Sequence, residues 1–217
     1  MESIKVVLIG DSGVGKTSII SRFTKDTFNN EEMSSSSAQF TSKTIQINDQ
    51  SIKFDIWDTA GQEKFRALAK IFYKDAQVII LVYEIINKES FESIKNYWYK
   101  ESSENSTADI FFVVGNKSDL YENEQVTDEE GKKFAKEINA IFKITSALSN
   151  TGIDRLFESI GKKILNPNYT EDGINDLSNS TPKNNVNIIN KKQERNTIKL
   201  NNAIKNNGKE KKRCCRK

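Results

Sequence analysis

The chain runs to 217 residues, 36% of them hydrophobic, with 33 Lys+Arg against 30 Asp+Glu and no histidine. That size carries one hydrophobic core and a tail, and the absence of histidine excludes histidine bases, histidine-held metals and serine–histidine hydrolysis. No apolar run reaches the roughly eighteen residues of a membrane span, and Glu2 with its short apolar follow-on does not read as a secretory signal.

In chain order, Lys5–Ile9 reads as a short apolar strand, followed by a glycine-rich turn and a helix through Ser18–Phe23. Ile45–Ile47 and Ile52–Trp57 flank the polar turn Asn48–Ser51 and predict a hairpin. Val78–Tyr83 and Ile110–Val114 are unbroken apolar runs, as strands covered on both faces should be. Between them Phe91–Ser102 is helical, with Phe91, Ile94 and Trp98 on one face. Thr127 and Glu130 have capping-box spacing and open another helix. Ile141–Thr145 is a last strand and Ile153–Leu165 a last helix. The alternation predicts an α/β fold in three layers. A mostly parallel six-stranded sheet carries helices on both faces, with the ligand over the strands' carboxyl ends.

The pattern stops near Asn166–Pro167. Beyond it the chain is rich in Asn, Lys and Ser and nearly free of aromatics, so residues 167–217 are expected to be a disordered tail on a 1–166 domain. From Asn168 onward there are 12 Lys+Arg and 5 Asp+Glu, against 21 and 25 before it. A mildly acidic domain thus carries a basic arm. Its charge thickens around the adjacent Cys214 and Cys215, which points to a membrane surface and not to nucleic acid. Neighbouring cysteines cannot staple a core, and a reducing, cytosolic compartment fits them.

The motifs fall at the ends of the strands. Gly10-Asp-Ser-Gly-Val-Gly-Lys-Thr17 has the phosphate-loop spacing, between a strand and a helix. Gly10, Ser12, Gly13, Val14, Gly15 and Ser18 would wrap the phosphates with backbone N–H groups. Lys16 would reach the β- and γ-phosphates, and Thr17 would ligate Mg²⁺. Asp58-Thr-Ala-Gly61 alone signals no more than a turn. At the end of a strand, however, Asp58 could hold Mg²⁺ through water and the Gly61 amide could sense a γ-phosphate. Gln62 could orient an attacking water. Asn116-Lys-Ser-Asp119 could be a polar turn or a base-reading loop, in which Asp119 accepts both N–H donors of guanine. Ser146-Ala147-Leu148 could offer a backbone N–H to the guanine O6.

Together these stretches resemble the small GTPases of the Ras superfamily, and within it the Rab family, from Ile4 to about Leu165. Trp57-Asp-Thr-Ala-Gly-Gln-Glu-Lys-Phe65, Phe72-Tyr-Lys-Asp-Ala76 and Leu81-Val-Tyr83 are Rab-like in wording. The segment between Asp119 and Thr127 lacks the Rho insert, and Glu2 excludes Arf-type myristoylation. The resemblance implies a phosphate-loop G domain that binds GTP and GDP with Mg²⁺ and hydrolyses GTP slowly unless an activating protein helps. It sets Phe28 against the guanine ring and the Lys117 stem along the base. Phe40, Trp57 and Phe72 become the aromatic triad that effectors read, where residue type alone would make them ordinary core. It also implies a monomer that works with an exchange factor, a GDP-dissociation inhibitor, a prenylation escort and effectors, and that binds no nucleic acid.

The chain departs from the family in its first switch. Ser35-Ser-Ser37 stands where Rab proteins carry Thr-Ile-Gly, so Ser35 keeps a hydroxyl for Mg²⁺ while an apolar contact and a backbone freedom are lost. At the other end, Cys214-Cys215 resembles a double geranylgeranylation signal. Two lipids hold a protein on a bilayer where one is marginal. The expected role is a switch in vesicle traffic on the cytoplasmic face of an endomembrane, of endosomal type by the wording at Ala38-Gln-Phe40, with a cytosolic pool. A prenylated scaffold with little hydrolysis and a one-lipid Ras-like signalling protein stand as alternatives.

Overall fold

The computed structural model of the protein describes residues 3–29, 39–59 and 71–171. Six strands form one sheet: β1 (Ser3–Ile9), β2 (Gln39–Ile47), β3 (Gln50–Asp58), β4 (Val78–Glu84), β5 (Ile110–Asn116) and β6 (Ile141–Ile144), in the order β2-β3-β1-β4-β5-β6. Among the described strands only the β2–β3 pair is antiparallel. Its hairpin closes through Asn48 and Asn48's neighbour Asp49, both at positive φ (49° and 62°), which is the two-residue turn whose twist suits paired strands. The turn is therefore shorter than the four polar residues suggested. The strand before it is longer, because its polar half, Gln39–Thr44, is held by pairing with β3 and has no apolar period of its own.

The β4 run lies fully buried from Val78 to Tyr83, since helices cover both faces. On one face α1 (Lys16–Lys25) and α5 (Ile153–Leu165) bury Ile19, Phe23, Leu156, Phe157 and Ile160 against Val6, Leu8, Phe54 and Val114. Phe23 and Phe157 stack at 3.6 Å between ring centroids, joining the two helices. On the other face, Val7, Ile9, Leu81 and Val113 meet Phe91, Ile94, Trp98, Phe134 and Ala135. The last two come from α4 (Asp128–Glu137), whose Thr127–Glu130 capping box forms as its spacing predicts.

The helix expected at Phe91–Ser102 begins earlier, at Lys88, because the Asn87 side chain accepts from the backbone N–H groups of Glu89 and Ser90. It is also irregular. The helix α2 (Lys88–Ser93) passes through a π-turn at Ile94–Trp98 into α3 (Tyr99–Asn105), with the Tyr99 N–H reaching the Ile94 carbonyl.

Candidate nucleotide site

The carboxyl ends of the neighbouring strands β1 and β4 mark the switch point of the sheet, where the connections leaving them run to opposite sides and a ligand crevice is expected. The loop after β1 carries Gly10 at φ 147°, where a Cβ would lie 2.2 Å from the Val82 carbonyl oxygen. Gly15 is at φ 95°, where a Cβ would lie 2.3 Å from Asn116 Nδ2. Neither place admits a side chain, so glycine is required for the loop to turn against β4 and β5. Gly15 is also the N-cap of α1 and offers no side-chain cap. The first-turn amides of α1 therefore have no side-chain acceptor at their cap and suit an anion. Ser12 and Gly13 are exposed at the loop's tip, and Val14 is buried beneath it.

Lys16 lies along the loop with Nζ donating to the carbonyls of Gly10 (2.9 Å) and Asp11 (2.8 Å). It is buried, and burial pulls its ammonium down to about 8 although Asp58 and Asp11 push it the other way. Beside it Thr17 Oγ1 donates to Asp58 Oδ2 at 2.5 Å, at the end of β3. A hydroxyl and a buried carboxylate at this spacing form an oxygen donor pair suited to a hard cation such as Mg²⁺. Among the described residues no group of three or more Cys, Asp or Glu side chains could cage a metal unaided.

The residues expected to face the base come from three loops. Asn116 is buried, with its amide Nδ2 donating to the Val14 carbonyl (2.8 Å) and its Oδ1 accepting from Thr145 Oγ1 (3.0 Å). Its side chain thus latches the end of β5 to the loop after β1. Lys117 sits at φ 61° and forms an ion pair with Glu84 at the end of β4. Ser146 Oγ donates to Asp119 Oδ1 at 2.5 Å, which aims that carboxylate. Ala147 is buried and Leu148 exposed. Phe28 lies 5.8 Å from the Arg22 guanidinium, and Arg22 Nε donates to the Ala147 carbonyl at 2.9 Å. Arg22 so ties α1, Phe28 and the Ser146–Leu148 loop together.

Arg22, Glu84 and Thr145 were not singled out as site residues from the sequence. The signals were faint: a lone arginine on a helix, and polar residues one step from motifs. Ser35, Gly61, Gln62, Cys214 and Cys215 lie outside the described residues. Phe40, Trp57 and Phe72 come together, with centroids 5.2 Å apart for Phe40–Trp57 and 5.7 Å for Trp57–Phe72. Phe40 is 54% exposed, so it is not ordinary core.

At the opposite end of the sheet a cleft of about 380 Å³ opens among Ile4, Gln77, Phe111, Ile141 and Ile164. The Lys163 amine on its wall is engaged by the carbonyls of Pro167 and Tyr169. Among the described residues no cluster of reactive or ligating groups converges there, and Gly10–Ser18, Asp58, Asn116–Asp119 and Ser146–Leu148 lie at the other end.

The model of the Ras family matches residues 5–166 of this chain. Ras-related protein Rab-13 of Canis lupus familiaris is 43% identical over 162 residues, which cover 74% of this chain and 79% of that protein. Ras-related protein Rab-13 of Mesocricetus auratus is 40% identical over 188 residues, covering 83% of this chain and 92% of that protein. Ras-related protein Rab-8B of Pongo abelii is 41% identical over 162 residues, covering 74% and 78%. The chain belongs to the Ras family, as a Rab-type small GTPase. It is accordingly a protein that binds GTP and GDP, hydrolyses GTP and answers to regulators and effectors.

Proposed function

We propose that this protein is a membrane-anchored switch that cycles between GDP and GTP in the crevice described above and directs vesicle traffic while GTP is bound. One observation carries the reading. The phosphate loop, Asp58 and Asn116 are hydrogen-bonded to one another across 41 and 102 residues of sequence. The phosphate-loop motif is thus joined to two motifs that are weak on their own, which supports reading the three as one nucleotide pocket.

In this reading Gly10, Ser12, Gly13, Val14, Gly15, Lys16, Thr17 and Ser18 wrap the phosphates, with the Gly61 amide on the γ-phosphate. Lys16 exchanges its two carbonyl partners for β- and γ-phosphate oxygens and steadies the charge that develops as the γ-phosphoryl leaves. Thr17, Ser35 and, through water, Asp58 hold Mg²⁺, which neutralises phosphate charge when bound. Gln62 orients the attacking water, whose oxygen displaces GDP from the γ-phosphorus. Phe28, Asn116, Lys117, Asp119 and Ser146–Leu148 enclose guanine.

Residues 1–166 form the G domain and 167–217 a basic tail. Geranylgeranyl groups on Cys214 and Cys215 hold the protein on the cytoplasmic face of an endomembrane, with a cytosolic pool kept by a GDP-dissociation inhibitor. A prenylation escort, an exchange factor and an activating protein complete the cycle. Effectors dock on Phe40, Trp57 and Phe72 in the GTP state.

The base assignment gives the test. Asp119→Asn replaces an acceptor by a group that can donate to the extra carbonyl of xanthine. The variant should bind GTP more weakly and xanthosine triphosphate more tightly than the parent in a competition titration. Unchanged GTP affinity would refute the assignment of Asp119.

A further inference from the structure

The side chain of Asp11, the second residue of the phosphate loop, points away from the crevice. Its Oδ1 accepts two hydrogen bonds of 2.8 Å each, from the Trp98 indole N–H and from the Ser93 hydroxyl. Trp98 is fully buried. The two donors are five residues apart on one helix. At 3.6 residues per turn, positions five apart point about 140° away from each other and cannot meet one oxygen. The π-turn at Ile94–Trp98 removes that conflict, because an i→i+5 hydrogen bond widens the turn and brings Ser93 and Trp98 to one side. Ser102 Oγ donates to the Trp98 carbonyl at 2.7 Å, holding the helix just beyond the irregularity.

We infer that Ser93 and Trp98 are positioning residues for the phosphate loop. Gripping the Asp11 carboxylate through the π-turn, they hold the loop backbone in the shape that receives phosphate, and so slow nucleotide release. The geometry explains why both ends of Asp11 are engaged: its carbonyl receives Lys16 and its carboxylate receives the helix. Without the grip, the carboxylate swings freely beside the phosphate site, adding negative charge and loop mobility where a polyanion must be held.

The inference rests on reading Gly10–Thr17 as the phosphate loop, and the test separates the two. Release of fluorescent GDP is timed for the full chain and for Asp11→Ala, Asp11→Asn, Ser93→Ala, Trp98→Phe and the Asp11→Ala/Trp98→Phe pair. Asp11→Ala and Trp98→Phe should release GDP about fivefold faster or more, the factor expected when roughly 1 kcal/mol of support is lost. Asp11→Asn keeps an acceptor oxygen for both donors and should stay near the parental rate, a rescue that simple loss of packing does not produce. Ser93→Ala should fall between. The double variant should be no faster than the faster single one, because both changes break the same contact.

Parental rates in Asp11→Ala and Ser93→Ala would overturn the inference even if Trp98→Phe fails to fold. An Asp11→Asn variant as fast as Asp11→Ala, or additive effects in the pair, would overturn it too. Lys16→Ala serves as the control for the underlying reading. If that variant binds GDP like the parent, the phosphate-loop assignment itself falls, whatever the other variants do.

Discussion

At the scale of single residues, the crevice is held by polar groups whose partners are far away in sequence, and most such groups in the core are satisfied. Tyr83 is an exception among the described residues. Its hydroxyl is buried without a hydrogen-bond partner, close to where Gly115 and Gly131 leave room, and burial pushes its ionisation well above the ordinary tyrosine range. A buried hydroxyl without a partner costs desolvation energy and returns nothing. Tyr83→Phe should therefore match or exceed the parent in stability by about 1 kcal/mol, seen as a rise of roughly 2–4 °C in Tm. A fall of that size in calorimetry would mean the hydroxyl is bonded in solution.

At the scale of the element, α4 depends on its first turn. Thr127 Oγ1 accepts from the Glu130 N–H, while the Glu130 carboxylate accepts from the Thr127 N–H and pairs with Lys88 of α2. Thr127→Ala should cost about 1 kcal/mol in denaturant unfolding, the usual worth of an N-cap. Glu130 adds a pH dependence. The hydrogen bond from Lys88 and that from the Thr127 N–H hold its carboxyl below the ordinary glutamate value. Its contribution is thus present above about pH 4.5, the unfolded value, and is lost as pH falls through the lower folded one. Glu130→Gln should be less stable than the parent at pH 7 and should converge with it in acid. Added salt should shrink the gap at pH 7, since the pair with Lys88 is partly exposed. A gap independent of pH would show that packing, not charge, is at stake.

At the scale of the whole molecule, the residues of the proposed site come together only when the sheet is assembled, because they sit at the ends of β1, β3, β4, β5 and β6. Nucleotide binds the folded chain and not the unfolded one, so it stabilises by mass action. Excess GDP with Mg²⁺ at about a hundred times Kd should add roughly 2.7 kcal/mol. Removing Mg²⁺ with a chelator should take back part of that gain, leaving Thr17 and Asp58 bonded to each other. An equal Tm with and without chelator would remove Thr17 and Asp58 from the metal site.

What the sequence alone determined was whatever repeats at a fixed short interval. The apolar runs of β4 and β5, the limits of α5, the capping box at Thr127 and the phosphate-loop glycines can all be read locally, because each is set by neighbours within a few residues. The polar half of β2 could not be read that way, since its partner strand and not its composition makes it a strand. Nor could the latch from Asn116 to Val14, the brace from Arg22 to Ala147, or the grip of Trp98 on Asp11. Those contacts join residues 102, 125 and 87 positions apart. They depend on how helices pack across the sheet and on one π-turn, which no periodicity announces; only the tertiary structure decided them.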